Sequence, residues 1–146
     1  MTRIFLDANI LLDVTDASRK TSKPSVEFID IMFDNMDKYA LYISCDLITT
    51  IYYVSRKSLG RQGALQQIKT MNKFISIIEF GNQEVNEAIE LMERNEKYTD
   101  LEDTIQYVMA RKEKCDYIIT NDKAFASGDV PVLSSGEALK VFDTKK

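Results

Sequence analysis

The sequence predicts an α/β fold: one mostly parallel sheet of about five strands, with helices on both faces. Three observations predict it. Short apolar runs recur at 4–6, 41–43, 75–80, 117–120 and 130–133, and segments of helical periodicity separate them. Those runs are apolar throughout and do not alternate, so each strand needs cover on both faces. At 146 residues the chain has the length of one domain able to bury a shared core.

The first strand, Ile4, Phe5 and Leu6, stops on Asp7, and Ile10 to Val14 makes a helical turn. A polar loop from Thr15 to Ser25 carries Arg19, Lys20 and Lys23, after which Pro24 suits the start of a helix packed through Phe28, Ile31, Met32 and Met36. Leu41 to Ile43 is the second strand. Ser44 or Asp46 caps the helix that follows, which packs through Leu47, Ile48, Ile51, Tyr52 and Val54 and is stopped by Gly60. Arg61 to Phe74 forms another helix and Ile75 to Phe80 the third strand. Asn82 caps a helix with Val85, Ile89 and Met92 on one face, and Arg94 to Thr99 is a solvated connection. Asp100 opens a helix reaching Lys114, with Leu101, Ile105, Val108 and Met109 as its apolar stripe. Tyr117 to Thr120 is the fourth strand and leads into Asn121 and Asp122. Val130 to Leu133 is the fifth, and Ser134 with Glu137 makes a capping box for a last helix over 136–142.

Composition narrows the function. A formal net charge of -4 and a pI of about 4.9 exclude a protein that coats nucleic acid by net basicity, but not a nuclease that holds cations on clustered acids. The chain has no His, which removes Ser-His-Asp triads, Cys-His nucleophiles and most zinc sites. Cys45 and Cys115 stand far apart and read as reduced, structural thiols. The N-terminus lacks a signal-peptide pattern and no apolar segment approaches about 20 residues, so a cytoplasmic protein with no membrane partner is expected.

The acids carry the chemistry. Asp7 ends a buried strand, and in an open parallel sheet the ligand crevice lies outside the strands' carboxyl ends; a cap on the following turn is the alternative role. Asp122, just past the fourth strand, faces the same rim, with Thr120 as a supporting residue. Asp100 and Asp103 share a face at the start of the late helix, apart from its core stripe. Acids there, Glu102 among them, also favour the positive end of a helix dipole. Carboxylates without His suit Mg²⁺ or Mn²⁺, which take oxygen ligands. Several such acids brought together repel one another, so replacing Asp7 or Asp122 by Asn is expected to stabilise the metal-free protein.

With these segments laid out, the sequence resembles a PIN domain, the nuclease fold of toxin components of bacterial toxin-antitoxin pairs and of related RNA-processing enzymes. The resemblance rests on FLDANILLD, YISCDLITTIYYVSRK, DLEDTIQYVMA, and YIITNDKAF followed by VPVLSSGEAL, which together span nearly the whole chain. It implies a single PIN-like nuclease domain over 1–146. Asp7, Asp103 and Asp122 then match the acids that hold the metal, Asn9 a polar residue supporting the first, and Asp100 an additional ligand of the branch with the D-x-x-D form. Thr50 stands where many PIN toxins carry Glu; Asp46, one turn earlier, or Asp100 could replace it.

The resemblance implies an endoribonuclease that leaves a 5′-phosphate and a 3′-hydroxyl, with RNA as substrate and a cognate antitoxin protein and a homodimer as candidate partners. Arg19, Lys20, Lys23, Arg56, Lys57 and Arg61 are the expected backbone contacts. Two other classes compete. A weakened PIN module that binds RNA or protein without cutting would explain Thr50. A phosphotransferase with an Asp nucleophile also begins with a strand ending in Asp, but places a second Asp where this chain has Asn9.

Overall fold

The computed structural model describes residues 1–142. In chain order these form β1 (Thr2–Leu6), α1 (Ala8–Thr15), α2 (Ser22–Asp34), β2 (Tyr39–Ser44), α3 (Leu47–Phe74) and β3 (Ile75–Ile78). There follow α4 (Asn82–Arg94), α5 (Leu101–Lys112), β4 (Tyr117–Ile119), β5 (Val132–Leu133) and α6 (Ser135–Phe142). The five strands make one sheet in the order β3-β2-β1-β4-β5, parallel at every pairing.

Strand periodicity explains why both faces are apolar. Side chains alternate across a strand, so Ile4 and Leu6 join Leu41, Ile43 and Ile119 in a core beneath α1, α2, α3 and α6, while Phe5 joins Ile118 and Tyr42 beneath α4 and α5. Ile4, Phe5 and Leu6 have no exposed surface, and burial of each contributes about 1.5–3 kcal/mol. The chain runs outward from β1 through β2 to β3, then returns to place β4 on the other side of β1. The strand order therefore reverses between β1 and β4, and a crevice opens beyond their carboxyl ends.

Several boundaries differ from the sequence expectation, each for a local reason. Helix α2 begins at Ser22, ahead of Pro24, because the hydroxyls of Ser22 and Ser25 donate to the backbone carbonyl and the carboxylate of Asp13 and draw this turn into the helix. The two helices expected around Gly60 run on as α3, but Gly60 itself is non-helical at φ 71° and ψ 176°, a left-handed backbone that a side chain would strain. Strand β3 ends at Ile78, before Phe80. Gly81, not Asn82, is the N-cap of α4, and its amide donates to Glu84 at 2.8 Å.

The buried face of α4 runs through Glu84 and Ala88, leaving Ile89 41% exposed. Glu84 bonds Lys112 at 2.9 Å and ties α4 to α5. Leu101 is likewise outside the core, at 45% exposed. Helix α5 stops at Lys112 in a Schellman closure, with the amides of Cys115 and Lys114 donating to Ala110 and Arg111 and Lys114 at φ 55°. The Ser134–Glu137 capping box forms as expected, with reciprocal bonds of 2.9 and 3.1 Å. Both cysteines are free, and burial pushes the Cys115 thiol up to about 12, which leaves it inert.

Candidate active site

Asp7 stands where β1 turns into α1, and it is 6% exposed. A buried carboxylate needs donors, and this one has them on both oxygens. Oδ1 accepts from the Ala8 amide at 2.7 Å, which makes Asp7 the N-cap of α1. Oδ2 accepts from Asn9 Nδ2 at 3.1 Å and from the Thr120 hydroxyl at 2.9 Å. Cap and candidate ligand are thus one residue. Thr120 Oγ1 also accepts from Asn9 Nδ2 and from the Asp122 amide, and Asn9 Oδ1 accepts from the Asn121 amide. Asn9 and Thr120 therefore latch the end of β1 to the segment beyond β4, and so fix Asp7 relative to Asp122. Burial raises the pKa of Asp7; bonds from Thr120 and the Ala8 amide oppose this, and the Asp122 charge adds to the rise.

Across the crevice, Asp103 lies half-buried in the first turn of α5. Its carboxyl is pushed up to about 7, first by burial and then by the negative charges of Asp7, Asp100, Asp122 and Glu102. Glu102 is raised too, by burial and by Asp46, Asp7 and Asp100. Six acids from four segments thus share one field, and every charge acting on Asp103 is negative. Asp100 caps α5 by accepting from the Asp103 amide at 2.9 Å, and Asp122 is exposed and accepts from the Ala124 amide at 2.9 Å. Neither residue expected to cap α3 does so through its side chain: Ser44 donates to Asp46, which makes no bond to the helix amides. Asp46 and Thr50 are exposed one turn apart.

Such a field suits a hard divalent cation, because among the described residues no Lys or Arg pairs with these acids. Among the described residues, however, no three acids stand close enough to form a closed cage. The donors are carboxylates without imidazole or thiolate, the oxygen chemistry that hard cations take.

Repulsion and burial predict a pH dependence. Asp103 titrates near 3.8 in the unfolded chain and near 7 in the folded one, so between those values the folded state holds a proton that the unfolded state releases. The penalty is absent below about pH 4, grows with rising pH, and is complete above about pH 7. The metal-free protein is expected to melt at a lower temperature at about pH 7.5 than at about pH 5 in EDTA, and Asp103→Asn should flatten that slope. An equal slope in the variant would place the titrating group elsewhere.

The expected backbone contacts divide. Arg19 is committed to Asp13 through Nε at 2.7 Å. Lys20, Lys23, Arg56, Lys57 and Arg61 are exposed and make no ion pair among the described residues, though Arg56 stacks on the rings of Tyr52 and Tyr53. A depression of about 730 Å³ beside Asp122 is lined by Thr21, Asn121, Lys123, Phe125 and Ser134. A second, of about 590 Å³, lies at the opposite rim around Tyr39 and Phe74, away from the acids.

Three residues escaped the sequence reading. Asp13 is fully buried beneath the crevice and accepts from Arg19, Thr21, Ser25 and Asn121. Asn121 exchanges bonds with Ser135 and so fixes the turn that carries Asp122. Gln106 is fully buried beside Asp7. An acid inside the run ILLDV was the available signal for Asp13; nothing distinguished the other two.

A parallel sheet with acids gathered at its switch point defines a class, and comparison with known sequences places the chain within it. The PIN domain profile matches residues 3–124, and the chain belongs to the PIN domain family. It is 44% identical over 142 residues to ribonuclease VapC1 of Aquifex aeolicus (strain VF5), an alignment covering 97% of this chain and 96% of that one. Among solved structures, DNA-bound VapBC of Salmonella typhimurium shares the fold with a TM-score of 0.68 at 14% identity, over 92% of this chain and 99% of that chain. FitAcB of Neisseria gonorrhoeae does so with a TM-score of 0.65 at 15% identity, over 90% and 97%.

Proposed function

We propose that the protein is a metal-dependent endoribonuclease and the toxin of a type II toxin-antitoxin pair. The observation that carries the reading is the group of acids at the switch point, with Asp103 held near 7 first by burial and then by its acidic neighbours. The 44% identity to a protein named as a ribonuclease supports the reaction class. In this reading Asp7, Asp103 and Asp122, with Asp100, hold Mg²⁺ or Mn²⁺, and Asp46 supplies the charge that Thr50 lacks. An ion held there would supply Lewis acidity, lowering the pKa of a bound water and offsetting charge on the scissile phosphate. Asn9 and Thr120 keep Asp7 aimed through their bonds to its Oδ2. The depression beside Asp122 has room for a nucleotide of the substrate.

Likeness to complexes described as VapBC and FitAB supports a small antitoxin as partner, and a second copy of the chain is a further candidate. Among the described residues no helix is long and apolar enough to cross a membrane. Purified protein is expected to cut RNA with Mn²⁺ or Mg²⁺ and not in EDTA; equal cutting in EDTA overturns the reading. Lys20 and Lys23 act through phosphate charge. Replacing both with Ala should weaken binding equally across single-stranded sequences and reduce the slope of log affinity against log salt by about 1.4. An unchanged slope moves the RNA path off this loop.

A further inference from the structure

Gln106 lies on α5, one turn beyond Asp103, and has no exposed surface. Neither end of its side-chain amide has a hydrogen-bond partner. Buried amide groups without partners are unfavourable and rare, and among the described residues Ser55 Oγ is the one other buried side-chain polar atom left so. A residue of the same size without polar atoms would fill this space at no such cost. The side chain is buried one turn along α5 from Asp103, on the side of the acid cluster that includes Asp7, and makes no hydrogen bond there. Residues three apart share a helix face, so Gln106 extends inward the same face that presents Asp103 to the crevice. A carboxylate only accepts, so the end of the amide that can bond Asp7 is Nε2.

We propose that Gln106 is a positioning residue of the acid cluster: its Nε2 donates to Asp7 when a divalent cation draws the carboxylates together. The inference rests on the reading of these acids as a cation site, and it gives the buried Nε2 the partner it otherwise lacks. Polar groups that orient a metal's ligands typically change metal affinity 10- to 100-fold when removed.

The test titrates MnCl₂ alone into the full chain by calorimetry, comparing wild type with Gln106→Met, Gln106→Asn and Asp7→Asn. Gln106→Met keeps the volume without the polar atoms, and Gln106→Asn is too short to reach Asp7. Both are expected to bind Mn²⁺ about 10- to 100-fold more weakly than wild type, while Gln106→Met melts about 3 °C higher in EDTA because its core holds no orphaned amide. A packing role alone predicts the same rise in melting temperature with Mn²⁺ affinity unchanged. If Gln106→Met does not fold, the affinity of Gln106→Asn decides. Affinity within twofold of wild type in the folded variant, with binding lost in Asp7→Asn, overturns the role of Gln106 and leaves the cation site standing. Wild-type protein that binds no Mn²⁺ overturns both.

Discussion

Asp103→Asn is expected to lower RNA cleavage by about 10³-fold, a rise of about 4 kcal/mol in the barrier, while leaving the protein folded and more stable without metal. The carboxyl is half-buried beside four other acids and is forced up to about 7 by burial first and their charges second, so the amide removes the cost of a buried charge and the repulsion together with a charge the ion requires. The two effects have opposite signs, and a structural acid would not produce that pairing. Asp7→Asn differs, contrary to the expectation that removing either strand-end acid relieves strain. Both oxygens of Asp7 accept bonds, and an Asn would turn its own donors toward Ala8 or toward Asn9 and Thr120. That variant should lose stability as well as activity. Single-turnover cleavage of a defined RNA, paired with melts in EDTA, measures both quantities; cleavage by Asp103→Asn within tenfold of wild type would remove it from the site.

The largest effect on stability is expected at Asp13, which does no chemistry in this scheme. Its carboxylate has no exposed surface and accepts from Arg19 Nε at 2.7 Å, Thr21 Oγ1 at 2.7 Å, Ser25 Oγ at 2.6 Å and Asn121 Nδ2 at 3.1 Å. Burial alone would raise its pKa, but the bonds from Ser25, Arg19 and Thr21 and the Arg19 charge overcome that and hold it below the ordinary carboxylate value. Asp13→Ala leaves those donors without their acceptor and is expected to cost about 3–5 kcal/mol, which lowers the melting temperature by about 10 °C. The pH window is opposite to that of Asp103: stability from Asp13 is present above about pH 4 and is lost as pH falls through its lower folded value. Urea denaturation at about pH 7 checks the magnitude, and a loss under about 1 kcal/mol would show that the network is dispensable. Because Asn121 belongs to it and precedes Asp122, the variant should also disturb the rim.

Much of the fold was legible because its strongest signals are periodic and local. The uniformly apolar runs at 4–6, 41–43 and 117–119 required a sheet covered on both faces, and Gly60 and the Ser134–Glu137 box depend on residues a few positions apart. Helix faces were read less well, since Ile89 and Leu101 satisfy the pattern of a buried stripe and yet stand outside the core. Periodicity states which residues share a face; which face meets the sheet depends on neighbours supplied by distant segments.

The same division holds for the candidate site. Asp7, Asp100, Asp103 and Asp122 were recognisable from strand ends and a helix start, so the sequence by itself determined the class of fold and the carboxylates available at its rim. Only the tertiary structure decided how those carboxylates stand toward one another: that β4 returns beside β1, that Thr120 and Asn9 latch Asp7 to the Asp122 turn, that Arg19 is spent on Asp13, and that Gln106 is buried against Asp7. The physical reason is that hydrogen bonding, burial and charge coupling act over a few ångströms of space, and residues more than a hundred positions apart, such as Asp7 and Thr120, become neighbours only when the sheet closes.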